Sequence, residues 1–409
     1  MAANINIQIG PKLKAIGNLK ILQGMPRFVY PLAIVAALGM SAGLYRLYTG
    51  LAGSTNLSTV FPWGLWISFD LTTVAFAGAA FTLAVLVYIF HMHELHAALR
   101  PTVLFGFLGY NSVLVILFFD LGRWDRFWHF LVYPNLSSAL FEVSWCIAIY
   151  TGILAYEFSP VVLEKLKNKR LLALVEKFNI PLVIAGITLS SMHQSSLGSL
   201  FVIQAPRLHP LWYSVLQPEF FLTSSLAAGI STIIIGSFVS IWLFGHTLSE
   251  KVLERLGGLL PWILGFYLAL KLGELAFTGE LGLLFTSGIF SVLYLSELVI
   301  GAVVPILWFS SKKLRSTRKG ALAGALFVAA GIVLNRFDVT WFVIKPLNGV
   351  TYFPSWIEAA LLVGVVSGVL LVYTLAAHFL PVFSETMPAR SLSEADSANY
   401  HAAQTMAGD

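Results

Sequence analysis

The sequence holds a single cysteine, Cys146, and only 11% of its 409 residues are charged. One cysteine excludes an internal disulfide framework, and with it any iron–sulfur or zinc site that needs several thiolates on this chain. The scarcity of charge excludes an ordinary soluble domain, in which about a quarter of residues would be charged. No P-loop and no GxSxG stretch occurs, so phosphate-cradling and nucleophile-elbow chemistry have no motif to rest on. The net charge of +5 sits mainly in loops and calls for no nucleic-acid partner.

What is there instead is hydrophobic length: 57% of the residues are apolar. A bilayer span needs about 20 mainly apolar residues. Ten segments qualify, at 28–48, 63–90, 101–121, 136–159, 178–203, 218–245, 257–279, 285–310, 320–337 and 355–381. The expected fold class is therefore all-α, a polytopic membrane protein of ten helices. Ten spans put both termini on one side. The N-terminal segment, the loops 91–100, 160–177, 246–256 and 311–319 and the C-terminal tail hold 18 of the 25 Lys and Arg. By the positive-inside rule that side is cytoplasmic, which in a bacterium means a protein of the inner membrane with a periplasmic opposite face.

The opposite-side segments 122–135, 204–213 and 337–356 are rich in Trp, Tyr, Phe, His, Pro and Arg. An interfacial aromatic belt accounts for part of this. The Arg123/Asp125/Arg126 cluster and the long last loop also suit docking of another protein, since aromatics and Arg are enriched at contact cores.

Ionisable residues inside the bilayer mark function by default, because each costs at least ~2.5–3.5 kcal/mol to insert. At ~1.5 Å per residue, Asp70 lies about 10 Å and Glu142 about 9 Å from the outer edge, and His193 about 15 Å. His193 sits in TLSSMHQSSLGSLF (188–201), beside Gln194 and among five serines. Interhelical hydrogen bonding is the bland explanation; a shared polar site is the sharper one. Asp120 and Glu219, near helix ends, carry less information. In LALKLGELAF, Lys271 and Glu274 are three apart and expected to pair. Glu297 lies mid-span and Glu358 near the outer start of the last span. Asp70, Thr73, Ala77, Phe81, Ala84 and Tyr88 fall on one stripe of an ideal helix, and Glu142 and Glu157 lie within about 60° of each other. Tyr88, Glu157, Lys271, Glu274, Glu297 and Glu358 are thus candidates for a proton path. His193 alone among nine histidines lies well within a span, so no intramembrane histidine pair is available for haem. Histidine, acids and hydroxyls in an apolar cleft suit a quinone, whose carbonyls need donors and whose two-electron reduction needs two protons.

The segments FPWGLWISFD (61–70), SALFEVSWCIAIYTGILAYEFSP (138–160), MHQSSLGSLF (192–201) with RLHPLW (207–212), and YFPSWIE (352–358) resemble the NrfD/PsrC superfamily. Within it they look most like the HybB-type hydrogenase subunit and the membrane subunit of the menaquinone reductase complex Qrc. The resemblance implies two four-helix bundles, 63–217 and 218–337, flanked by a first helix (28–62) and a last one (338–382), with cytoplasmic ends at 1–27 and 383–409. It implies a subunit of a respiratory oxidoreductase that exchanges electrons between menaquinone and a periplasmic iron–sulfur subunit, with further catalytic or multihaem subunits beyond. No haem, iron–sulfur cluster or metal is expected on this chain, and lipids are its other neighbours. Asp70, Glu142 and His193 match the motif positions implied to be catalytic. Gln194, Ser196, Arg123 and His129 join them as implied quinone-binding residues, with protons drawn from the cytoplasm. Glu274 matches the GE of the seventh span, where hydrogenase relatives tend to carry arginine at the position of Lys271; a lysine loses the planar fork. Two other readings stay open. One is an ion- or proton-coupled transporter, which would show an inverted repeat that is not evident here. The other is a passive anchor whose polar groups only hold helices together.

Overall fold

A computed structural model describes residues 26–204, 207–244, 248–345 and 351–383. The expected cytoplasmic ends lie outside this range almost entirely. Among the described residues the chain is helical throughout, without strands, and ten helices are long and apolar enough to cross a membrane. They are α1 (Val29–Thr49), α2 (Leu65–Ile89), α3 (His93–Asp120), α4 (Ala139–Lys165), α5 (Lys169–Val202), α6 (Gln217–Ile241), α7 (Glu250–Phe277), α8 (Ile289–Ser310), α9 (Arg318–Phe342) and α10 (Trp356–Phe379). The chain is a multi-pass integral membrane protein.

Several helices outrun the apolar windows. α3, α5 and α7 begin eight, nine and seven residues earlier than the sequence pattern sets them, and α9 ends five residues later. The early starts of α5 and α7 come from polar turns that helix caps stabilise: Asn168 accepts from Leu171 N and Ser249 from Val252 N. The late end of α9 is a π-helical turn, Asp338–Phe342, and two more interrupt α2 at Val85–Ile89 and α8 at Val299–Val303. Such turns insert an extra residue and cluster at functional sites. The first of them also breaks the expected stripe on α2, because Tyr88 no longer stands five whole α-turns from Asp70.

α2 packs on α3, α3 on α4, α4 on α5 and α5 on α6; α6 also lies against α2, α7 and α9, and α9 against α2 and α8. α1 packs along α10, and α10 also meets α3. A Cβ on Gly39 would sit 2.4 Å from the Cα of Gly364, so α1 and α10 touch backbone to backbone. Gly301 and Gly331 do the same between α8 and α9. Without a hydrophobic drive between helices in lipid, such close approach supplies the packing attraction that holds them. The turns after α1, α3, α5, α7 and α9 share one end of the molecule, termed here the odd-loop face; the even-loop face is opposite.

Candidate functional site

The polar stretch of α5 is continuous helix with its middle turned inward. His193 and Gln194 are each 1% exposed. Gln194 Nε2 donates to Val74 O of α2 at 2.9 Å, which locks α5 onto α2. The His193 ring lies 5.7 Å from that of Tyr110, and Tyr110 lies 4.8 Å from Tyr150. The ring nitrogens of His193 and the Ser190 and Tyr110 hydroxyls make no well-aligned hydrogen bond, although His193 lies against the Val143 backbone and Tyr110 lies beside Ser190 and Gln194. Buried polar groups are almost always well paired, so a group of loosely paired ones at one place marks a candidate site. One turn along, Ser196 Oγ donates to Glu142 Oε1 at 2.5 Å, joining α5 to α4. The sequence suggests that the serines serve His193 and Gln194. Instead Ser191, Ser195 and Ser199 bond carbonyls of their own helix, while Ser190 lies beside Tyr110 and Tyr150 and Ser196 reaches Glu142.

Asp70 is 3% exposed, and neither of its carboxylate oxygens has a partner. It shares the odd-loop half with Glu142 and His193 yet touches neither. Asp120 is a charged neighbour of Asp70, and Asp120 in turn lies near Arg46 and Glu358. Arg46 is fully buried on α1: Nη2 donates to Leu121 O at 2.6 Å, while Nε and Nη1 have no partner. Asp120, set aside on sequence grounds as a helix-end acid, therefore belongs beside Asp70. Arg46 escaped notice because a single arginine one turn from the end of an apolar run reads as an interfacial residue.

A second buried group occupies the same half of the membrane among α6 to α9. Lys271 Nζ lies 2.7 Å from Glu297 Oε1, with both side chains under 5% exposed. Lys271 therefore pairs with Glu297 of α8, not with Glu274, which is half-buried and makes no ion pair. A partner across the helix interface can meet a buried ammonium; one on the same helix, facing partly outward, cannot. Glu297 also accepts from Trp212 Nε1 at 2.9 Å and Asn335 Nδ2 at 2.9 Å. The aromatic rings of Tyr294, Tyr267 and Phe220 lie 4.9, 5.3 and 5.6 Å from Lys271 Nζ. Beside them Arg336 donates to Asn335 Oδ1 and Ser224 Oγ and stacks 3.7 Å over Phe221. Asp338, fully buried on the π-turn of α9, has no partner. Arg336 and Asp338 were missed because the ninth span was ended at 337, which left both at or beyond its edge.

Glu358 is spent on structure. It accepts from Tyr352 OH (2.5 Å), Ser355 N (2.7 Å) and Asn56 N (3.1 Å), and completes a capping box on α10. Tyr352 OH accepts from Leu65 N and its ring stacks on Phe61 at 5.0 Å, while Trp66 Nε1 donates to Glu358 O. FPWGLWISFD and YFPSWIE, nearly 300 residues apart, are thus two sides of one joint. Burial and the carboxylate beside it push the Tyr352 hydroxyl up from its ordinary value.

The outer residues are not gathered at these sites. Arg123 forms a two-pronged, exposed pair with Asp125 at 2.9 and 2.8 Å, which holds that carboxyl down at about 2. His129 packs edge-on against Trp128 and Tyr133. Toward the even-loop face, Tyr88 lies beside Asn179 and Glu157, and its ring is 6.2 Å from His96. Among the described residues no group of three His, Cys, Asp or Glu side chains is placed to hold a metal.

The family described as "Polysulphide reductase, NrfD" matches residues 53–344. A protein of Nitratidesulfovibrio vulgaris is 33% identical over 86% of this chain and 93% of its own. The "Probable Ni/Fe-hydrogenase 2 b-type cytochrome subunit" of Escherichia coli is 32% identical over 82% of this chain and 87% of its own. The "Menaquinone reductase, integral membrane subunit" of Nitratidesulfovibrio vulgaris is 30% identical over 84% and 89%. The second name speaks of a b-type cytochrome. A haem held by two histidines needs a pair facing each other inside the helices. Among the described residues His193 is the one histidine buried in a span, and its ring neighbour is Tyr110. The described residues offer no such pair.

Proposed function

This chain belongs to the NrfD family, and we propose that it is the quinone-reactive membrane subunit of a respiratory oxidoreductase complex, working at the odd-loop face with menaquinone. The observation that carries the reading is the set of buried, loosely paired polar groups around His193, with the Ser196–Glu142 pair one turn away. A quinone carbonyl would give the Tyr110 hydroxyl or the His193 ring a well-aligned acceptor. Reduction takes two electrons and two protons, one proton to each carbonyl oxygen, and yields the quinol. His193 and Glu142 lie where protons are needed. Asp70, with Asp120 and Arg46 behind it, sets the charge of the cleft from the α2 side. Gln194 holds α5 to α2 so that the cleft keeps its shape.

Electrons come from a partner, an iron–sulfur subunit docked on the odd-loop face, since that face presents Trp124, Trp128 and the Arg123/Asp125 pair. The basic excess of the even-loop face sets it in the cytoplasm of a bacterium, with both termini there and the odd-loop face in the periplasm. Proton uptake runs from the Tyr88–Asn179–Glu157 group toward the site, which makes turnover electrogenic. Lys271, Glu274, Glu297 and Glu358 stand apart from this route.

The test is binding of a fluorescent quinolone N-oxide, a quinone analogue, to the purified complex. Quenching that saturates in the wild type and is lost in both His193→Ala and Tyr110→Phe supports the site. Unchanged binding in both variants rules it out.

A further inference from the structure

A cavity of about 670 Å³ lies in the even-loop half among α2, α3, α6, α9 and α10, away from both buried charge clusters. Its size falls in the range, about 300–1,000 Å³, that holds small organic ligands. The walls are apolar, with Phe76, Phe105, Ile233 and Val369 among them. Small side chains facing one another leave the space, and a Cβ on Gly236 would meet nothing within 4 Å. The cavity is half open, and its largely apolar walls give water few partners.

Two observations identify what fills it. The first is depth. On the helix that ends at Phe244, the lining runs from Ser240 to Thr232, which is about 6 to 18 Å below the helix end. On α3 it reaches Phe105, also about 18 Å from His93. On α9 it reaches Val333, about 22 Å from Arg318, so the cavity runs from the even-loop side to the middle of the membrane, whose hydrocarbon core is about 30 Å thick. The second is charge. Lys319, exposed and without an ion pair among the described residues, stands two turns before the lining residue Leu326 on α9. Lys313, in the α8–α9 loop, is likewise exposed.

We infer that the cavity takes an acyl chain of an anionic phospholipid from the leaflet on the even-loop face. The chain fills the seam between α3 and α10 on one side and α6 and α9 on the other, while its headgroup lies among the lysines. This site is independent of the quinone reading.

The experiment uses the purified complex in vesicles of phosphatidylethanolamine and phosphatidylglycerol, the latter with a photoreactive diazirine in mid-chain. Crosslinks are mapped by peptide mass spectrometry. The expected result is labelling within 97–105, 232–240 and 326–333 above that at the open surface around Trp262 and Phe266, which are 81% and 58% exposed. Gly236→Phe, whose ring enters the space, should lose that labelling and keep the surface labelling. Ser240→Leu at the mouth should do the same, and it decides the matter if the glycine variant does not assemble. Even labelling of all lipid-facing residues would overturn the assignment. So would labelling that added menaquinone displaces and unlabelled phosphatidylglycerol does not, because the occupant would then be a quinone tail. Absence of cavity labelling in the intact complex, with labelling on the open surface, would mean that a partner subunit fills the space, and would overturn it too.

Discussion

In the second half of the chain Glu297 accepts from Lys271, Trp212 and Asn335, whereas in the first half Asp70, equally buried, has no partner and His193 makes no well-aligned hydrogen bond. Both groups lie in the odd-loop half of the membrane, so depth does not separate them; saturation does. A saturated ion pair holds helices and is strongly destabilising to break. Unpaired donors and acceptors contribute nothing to stability and are costly to keep, so they persist where a ligand completes them. The second half is not uniformly saturated, since Asp338 and Arg336 Nε also stand without partners. They adjoin a complete network, while Tyr110 and Ser190 around His193 lack well-aligned hydrogen bonds as it does.

The sharpest way to break this contrast is to remove one charge from the saturated pair. Lys271→Ala or Glu297→Ala leaves the other charge buried alone, with an expected loss of about 3–5 kcal/mol. A thermal unfolding scan in detergent would show it as a large drop in midpoint, accompanied by poor assembly. The double variant Lys271→Met/Glu297→Gln removes both charges but leaves an amide oxygen for Trp212 and Asn335. It should recover most of the midpoint and keep quinone turnover.

A smaller effect is expected at the bond between Ser196 and Glu142. Ser196→Ala removes one hydrogen bond to a charged group, about 1.5–3 kcal/mol. In the first half this should lower the unfolding midpoint modestly and, unlike a purely structural contact, also lower turnover or raise KM for quinone. A drop in midpoint with unchanged kinetics would move Glu142 into the structural class occupied by Glu297.

The smallest effect concerns His209, in the loop between α5 and α6, whose ring stacks on Phe290 at 4.6 Å. Burial, and then the neighbouring Lys345, hold its pKa below the ordinary value of 6.5. The folded state therefore favours the neutral ring. Its contribution to stability is full above pH 6.5 and declines as pH falls below that value toward the folded pKa. The unfolding midpoint should decline slightly on acidification below pH 6.5, and His209→Gln should lose that part of the slope.

Much of this was legible in the sequence. Hydrophobic length gave all ten spans, and the ionisable residues within them were visible as exceptions to it. Partners were less legible, because helix periodicity reports neighbours on one helix and not across an interface. Lys271 was therefore assigned to Glu274, three residues away, when its acceptor is Glu297 on the next span. Asp70 was grouped with Glu142 and His193 on depth alone, while its charged neighbour is Asp120 on α3. Arg336 and Asp338 were hidden by a π-turn that carries α9 past its apolar window. Glu358 looked like an intramembrane acid, and only the joint with Tyr352 and Asn56 shows it to be a cap.

The most direct test is quinone turnover by the intact complex carrying Asp70→Asn, Glu142→Gln or His193→Ala, with assembly verified in the same samples. The account predicts assembled complexes in which electrons still reach the partner subunit while quinone reduction falls about 10²-fold or more. Turnover that survives all three substitutions would contradict it, and would leave these groups as helix contacts with the quinone bound elsewhere.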